Sequence, residues 1–208
     1  IYDGRLYKAN DMVKADCGGC NGCSRCFHGM GNSIILDPYD VYRMTTGMGK
    51  SMQELLAASV ELNVVDGVIL PNLKMQGTKE ACAYLDEEGR CSIHPYRPGI
   101  CRLFPLGRYY ENGGFSYFLQ PGECAKENRS KIKVSKWIDT PDLTRNQQFT
   151  LQWHDLLHAM EERLTGEDEG KQQEENLLLL RLFYLLPYKG TTDFYSQFME
   201  RMEYWNEQ

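Results

Sequence analysis

The apolar residues divide the chain into a front part of short elements and a long helical rear. After Ile34-Ile35-Leu36, Asp37-Pro38 supplies an N-cap and a first helical residue, predicting a short helix through Tyr42 to about Met44. Ser51 followed by Glu54 makes a capping box and opens a second helix through Leu55, Leu56 and Val60. Val64 to Leu70 predicts a strand ending at Pro71. Between Cys82 and Cys91, apolar residues give way to Asp86-Glu87-Glu88-Gly89, the pattern of a hairpin whose open end brings the two cysteines together. Tyr109-Tyr110, Glu111-Asn112-Gly113-Gly114 and Phe115 to Leu119 predict a second hairpin, returning toward Cys124. Lys131, Lys133 and Ser135 alternate with Ile132 and Val134, as in a strand with a solvated lysine face.

Behind these elements the period becomes helical. Thr140-Pro141 opens a helix to about Leu164, with Phe149, Trp153, Leu156, Leu157, Met160 and Leu164 on one stripe and Gly166 as its stop. Gly166 to Gln173 is acidic and polar, a linker or loop, and two further helices follow near Glu174 to Leu186 and Asp193 to Trp205. The fold class is therefore α+β. A cysteine-cluster region of short helices and hairpins spans residues 1–138 and a helical region, residues 139–208, packs on it, with one domain overall as the alternative. The longest apolar run, Leu177 to Leu186, is interrupted by Arg181 and closed by Pro187, too short to span a membrane.

Composition narrows the function classes. A chain of 208 residues with 42% hydrophobic and 25% charged residues is neither disordered, collagenous nor a coiled coil. A formal charge of −6 argues against general nucleic-acid binding. The local basic run Lys126, Arg129, Lys131, Lys133 and Lys136 fits lysines that keep a strand edge from associating better than an anion site.

The unusual count is 8 cysteines beside 4 histidines. Cys17, Cys20, Cys23 and Cys26 form a glycine-rich ladder of C-x2-C steps, and Cys82, Cys91, Cys101 and Cys124 are distributed further on. Ladder neighbours turn their sulfurs toward one point, poor geometry for disulfides and good geometry for a metal. The segment Ile1 to Arg5 lacks the basic-then-apolar pattern of a secretory signal, so a reducing cytoplasm is expected, where thiols serve metals rather than cross-links. All eight cysteines are thus candidate ligands, enough for two four-coordinate sites. Four thiolates around Zn2+ or a [4Fe–4S]2+ core leave a net charge of −2, which Arg97 and Arg102, and also Arg25 and Arg90, are placed to offset. His28 and His94 stand two and three residues from cysteines, as candidate outer-sphere donors or substitute ligands. The ladder resembles a ferredoxin run, favouring iron–sulfur over zinc.

Two other motifs carry less. Thr46-Gly47-Met48-Gly49-Lys50-Ser51 ends like a phosphate loop, but Met44 stands where that loop needs glycine. His154 and His158 share a helical face at i and i+4, as zinc-peptidase ligands do, yet they border an apolar stripe where surface histidines are ordinary.

Several spaced motifs occur together: Cys20-x2-Cys23-x2-Cys26, Ile35-Leu36-Asp37-Pro38-Tyr39-Asp40-Val41-Tyr42-Arg43, Cys82-x-Tyr84-Leu85, Gly89-x-Cys91-x-Ile93-His94 and Arg97-Pro98-x2-Cys101-Arg102-x-Phe104-Pro105-Leu106. In these the chain resembles the YkgJ-type cysteine-cluster family over residues 17 to 124, which implies a domain that chelates zinc or iron. The family's first motif ends in a doubled cysteine; here Phe27 takes the second place, and Cys17 is additional. The motifs are also similar to those of flagellin lysine N-methylases, which would imply an iron–sulfur cluster working with S-adenosylmethionine on a protein substrate. No S-adenosylmethionine loop is evident in the sequence. The leading expectation is a metal-binding protein with two cysteine-ligated centres. A methyltransferase and a structural zinc module that binds a protein partner are the alternatives.

Overall fold

The computed structural model describes residues 3–18, 24–126 and 128–208. Cys20 and Cys23 lie outside the described residues. The architecture is α+β: small antiparallel strand pairs in front and helices behind.

The first strand, β1 (Met12–Asp16), precedes the ladder and pairs with a strand more than a hundred residues later. Helix α1 (Pro38–Met48) starts as its sequence predicts. The Asp37 carboxylate accepts from Asp40 N (2.8 Å), while Asp40 accepts from Asp37 N (3.3 Å), a full capping box ahead of Pro38. The helix runs a turn beyond Met44, until Gly49 takes the left-handed conformation (φ 64°) that ends it. Helix α2 (Met52–Ala58) carries the Ser51–Glu54 capping box but stops before Val60, because Val60 opens a strand opposite Leu73. The expected phosphate-loop lookalike is thus a junction between two helices.

Strands β2 (Val60–Val65) and β3 (Val68–Leu73) replace the single strand expected over Val64 to Leu70. Asp66-Gly67, both with positive φ (51° and 82°), turns the chain back, and Pro71 sits inside β3 opposite Leu62. The apolar pattern runs straight through this turn, so the periodicity alone hides it. The short pair β4 (Met75–Gln76) and β5 (Ala81–Cys82) follows, and α3 (Gly99–Leu103) carries Cys101. The second hairpin forms as expected from β6 (Leu106–Glu111) and β7 (Gly114–Leu119), with Asn112-Gly113 at its tip. Strand β8 (Ser130–Lys133) is the partner of β1. It is shorter than the lysine alternation suggests, since Val134 already begins α4 (Val134–Ile138), which buries Val134 and Ile138 four residues apart.

Helix α5 (Leu143–Leu164) starts three residues later than Thr140, with Asp142 rather than Thr140-Pro141 at its cap, and buries Phe149, Trp153, Leu156, Met160 and Leu164. The acidic stretch expected as a linker is mostly helix. Asp168 accepts from the backbone N–H groups of Gly170 and Lys171 and starts α6 (Glu169–Leu180), which ends in a π-helical turn, Arg181–Leu185. Helix α7 (Phe194–Asn206), capped by Asp193, closes the chain.

Two apolar cores result. The larger joins Leu36, Tyr39, Met44, Leu55 and Leu73 of the front part to Phe149, Trp153, Phe183 and Phe198 of the rear helices. Tyr39 shows the join directly, with ring centroids 6.2 Å from Phe149 and 5.0 Å from Phe194. The smaller packs Val13, Leu103, Leu106, Tyr117, Val134 and Ile138. Among the described residues no helix is long and apolar enough to cross a membrane.

Because front and rear share one core, replacing the buried Phe198 by Ala is expected to cost about 3–5 kcal/mol and to lower one common melting transition. Calorimetry checks this. Two transitions, only one of them shifted, would mean that the parts fold separately.

Candidate metal centre

Two groups of cysteines emerge from the fold. The first comprises Cys17, directly after β1, Cys26 in the 3-10 turn Arg25–Phe27, and Cys124 in the segment leaving β7. All three line one small pocket with Phe104, Pro105 and Trp137, and Arg25, Glu123 and Lys126 stand at it too. Trp137 is a fixed wall: its indole N–H donates to the carbonyls of Leu103 (3.3 Å) and Phe104 (3.2 Å).

The second group is Cys82 at the end of β5, Cys91 and Cys101 in α3. The expected hairpin between Cys82 and Cys91 is reduced to a turn over Asp86 to Gly89 and one bridge, Leu85 to Cys91, with Ser92 N donating to Tyr84 O (2.9 Å). That is enough to bring Cys82 and Cys91 within range of each other's charge, and Cys101 within range of both. These thiols pack against the larger core. Burial pushes all three above the ordinary cysteine value, most strongly Cys101, where the Asp40 carboxylate adds to the effect. Against this, the backbone N–H groups of Tyr84 and Ile93 are directed at the sulfurs of Cys82 and Cys91, two residues back along the chain, and favour the ionised form.

Among the described residues no three Cys, His, Asp or Glu side chains are closed to the spacing that holds one metal ion. The thiols are gathered into neighbourhoods, and the donor chemistry fits a thiolate-bound metal. Softness of the ligands, N–H donors on sulfur and partial burial are what zinc and iron–sulfur sites require.

The predicted outer residues separate. Arg97 faces the second group, where its charge favours the thiolates of Cys91 and Cys101. Arg102, flanking Cys101 on the other side, is instead buried over the Tyr39 ring (5.8 Å to its centre) and interacts with Asp40. His28 Nδ1 donates to Ser24 O (3.0 Å), and its backbone bridges Ala81, so it ties the end of the ladder to the strand that carries Cys82. His94 is exposed, at the start of the 3-10 turn His94–Tyr96. Arg25 lines the first pocket, and Arg90 is exposed at the turn before Cys91. His154 stacks on Tyr110 (3.7 Å between centres) and His158 lies 3.6 Å from Glu162, in line with surface residues on α5. Nothing in the local sequence around Trp137 distinguishes this pocket wall from any other half-buried aromatic residue.

A family model, CxxCxxCC, described as a "Putative zinc- or iron-chelating domain", matches residues 16–133, more than half of the chain. No curated protein and no solved structure matches it.

Were a metal to enter the second group, it would have to displace protons from thiols whose values burial raises. Raised thiol values mean that affinity is gained as pH rises and lost as it falls. Between about pH 9 and pH 6, zinc affinity is expected to weaken by up to ~10-fold per pH unit for each thiol bound. Competition titrations with a chromophoric chelator measure it, and an affinity that ignores pH would contradict thiol ligation.

Proposed function

The chain belongs to the CxxCxxCC family, the YkgJ-type cysteine-cluster domain, and on that premise we propose that it is a metal-binding protein whose eight cysteines serve two centres. One centre draws on Cys82, Cys91 and Cys101, the other on Cys17, Cys26 and Cys124, and Cys20 and Cys23 of the ladder supply one further thiolate to each. The observation that carries this reading is the separation of the six described cysteines into two neighbourhoods, three lining a pocket and three within range of each other's charge. Each neighbourhood is one ligand short of a four-thiolate site, and the ladder holds two more cysteines.

Iron–sulfur is favoured over zinc by the repeated C-x2-C spacing. A reducing compartment such as the cytoplasm suits thiols kept as ligands. Bound metal would supply the positive charge that lets buried thiols ionise, while Arg97 and the N–H groups of Tyr84 and Ile93 stabilise the thiolates. The enzyme reading, methyl transfer from S-adenosylmethionine to a protein lysine, would need one iron without a cysteine ligand.

Anaerobic purification followed by metal and sulfide analysis and a visible spectrum tests the reading. Brown protein with iron and sulfide is expected, whereas colourless protein with zinc selects the structural zinc module. Cys101→Ser and Cys124→Ser should each reduce the metal bound per chain, and unchanged content in both would overturn the ligand assignment. A spectrum of the brown protein that is unaltered by added S-adenosylmethionine would count against the methyltransferase.

A further inference from the structure

Cys101 sits on a helix too short to hold itself in place. The helix α3 has five residues, and the first N–H groups of any helix need acceptors from outside it. A side chain at the N-cap usually provides one, but here the N-cap is Pro98, which has none to offer. The missing acceptor comes from 59 residues away: Asp40 Oδ1, on α1, accepts from Gly99 N at 2.7 Å. The carboxylate that does so is 2% exposed, and its other oxygen is held by Asp37 N.

The same face of α1 meets the segment between Cys91 and Cys101 twice more. Arg43, three residues on, donates from Nη2 to the carbonyl of Pro95 in the 3-10 turn. Gly47, four residues further, lies under the Tyr96 ring so closely that a Cβ there would stand 2.3 Å from Tyr96 Cδ1. Asp40, Arg43 and Gly47 are spaced i, i+3 and i+7, one stripe of one helix. On its other faces α1 is fixed by Val41 and Met44 in the larger core and by Tyr39 against Phe149 and Phe194.

We propose that this stripe of α1 is the positioning device of the Cys82–Cys91–Cys101 centre, with Asp40 acting in trans as the cap of the cysteine-bearing helix and Gly47 as the seat of Tyr96. The inference rests on the proposed ligand role of those cysteines and adds to it what sets their geometry. None of the three stripe residues touches metal. They hold the span from Pro95 to Gly99 at three points against a helix that belongs to the rigid core, so that Cys101 returns to Cys91 and Cys82 at a fixed distance and angle.

Cobalt(II) titration of the full reduced chain tests this, because sulfur-to-cobalt charge-transfer and ligand-field bands report thiolate number and tetrahedral geometry. Cys101→Ser should abolish or weaken one class of cobalt site. Asp40→Ala should weaken that same class by about 10–100-fold, the range found when outer-sphere partners of metal ligands are removed, and leave the other class unchanged. It should add no further loss in the Cys101→Ser background. Gly47→Ala gives a second measure, since Ala suits the helix itself and the added methyl first meets the Tyr96 ring. It should weaken the same class when Tyr96 is present and have no effect on top of Tyr96→Ala. If Cys101→Ser weakens cobalt binding while Asp40→Ala and Gly47→Ala bind as the wild type does, the positioning role is overturned and the ligand reading stands. Equal weakening of both classes by Asp40→Ala would reduce it to a general structural residue and also overturn the proposal. Wild-type binding by Cys101→Ser would overturn the ligand reading itself.

Discussion

A buried thiol gives up its proton only where positive charge takes the proton's place. Two thiolates ~6 Å apart repel by roughly 3 kcal/mol at an effective dielectric of about 20, before the cost of taking each out of water. Cys82, Cys91 and Cys101 stand under this constraint. Each is raised by burial, and Cys101 feels the Asp40 carboxylate as well. What the protein itself contributes in the opposite direction is modest: the Arg97 guanidinium and backbone N–H groups on two of the three sulfurs. Such a site leaves room for a cation to supply the balance, which is the electrostatic content of a chelating domain.

The second dependence is mechanical. The elements that carry these cysteines are a two-residue strand, a single bridge and a five-residue helix. None would be stable in isolation, because short hairpins and helices form only when something larger holds them. That larger body is the core shared by α1 and the rear helices, in which Tyr39 contacts rings from α5 and α7. The C-terminal helices thereby become the support behind α1, the helix against which the cysteine-bearing segment is set.

The sequence was legible where a local rule acts alone. The caps at Asp37 and Ser51, the Asn112-Gly113 turn and the apolar stripe of α5 are each decided by a few adjacent residues, and all appear where expected. It was misleading where two rules compete. Val60 continues the apolar pattern of α2 but pairs with Leu73, and Asp66-Gly67 turns a chain whose flanking residues read as one strand. Val134 alternates correctly for a strand and equally suits a helix with Ile138. The pairing of β1 with β8 and the meeting of Cys17 and Cys26 with Cys124 were not legible at all, since both depend on contacts across about a hundred residues that no spacing encodes, whereas the nearness of Cys82 and Cys91 follows from the local turn between them.

Arg97 and Arg102 show why spacing alone also fails for charge. They stand four before and one after Cys101, and both were natural candidates to neutralise thiolates. The turn at Pro98 and the start of α3 send them to opposite sides. Arg97 remains with the cysteines, while Arg102, 5% exposed, lies over Tyr39, and its Nε and Nη1 find no hydrogen-bond partner among the described residues. An arginine so enclosed calls for an acidic group nearby, and the Asp40 carboxyl interacts with it, the Arg102 charge working against the burial that raises that carboxyl above its ordinary value. Asp40 therefore has two tasks at once: accepting the N–H of Gly99, and offsetting the charge of Arg102, three residues further along the same helix. A neutral acceptor such as serine could perform the first task but not the second, so the third position of α1 calls for a carboxylate on grounds that reach well beyond the capping of its own helix.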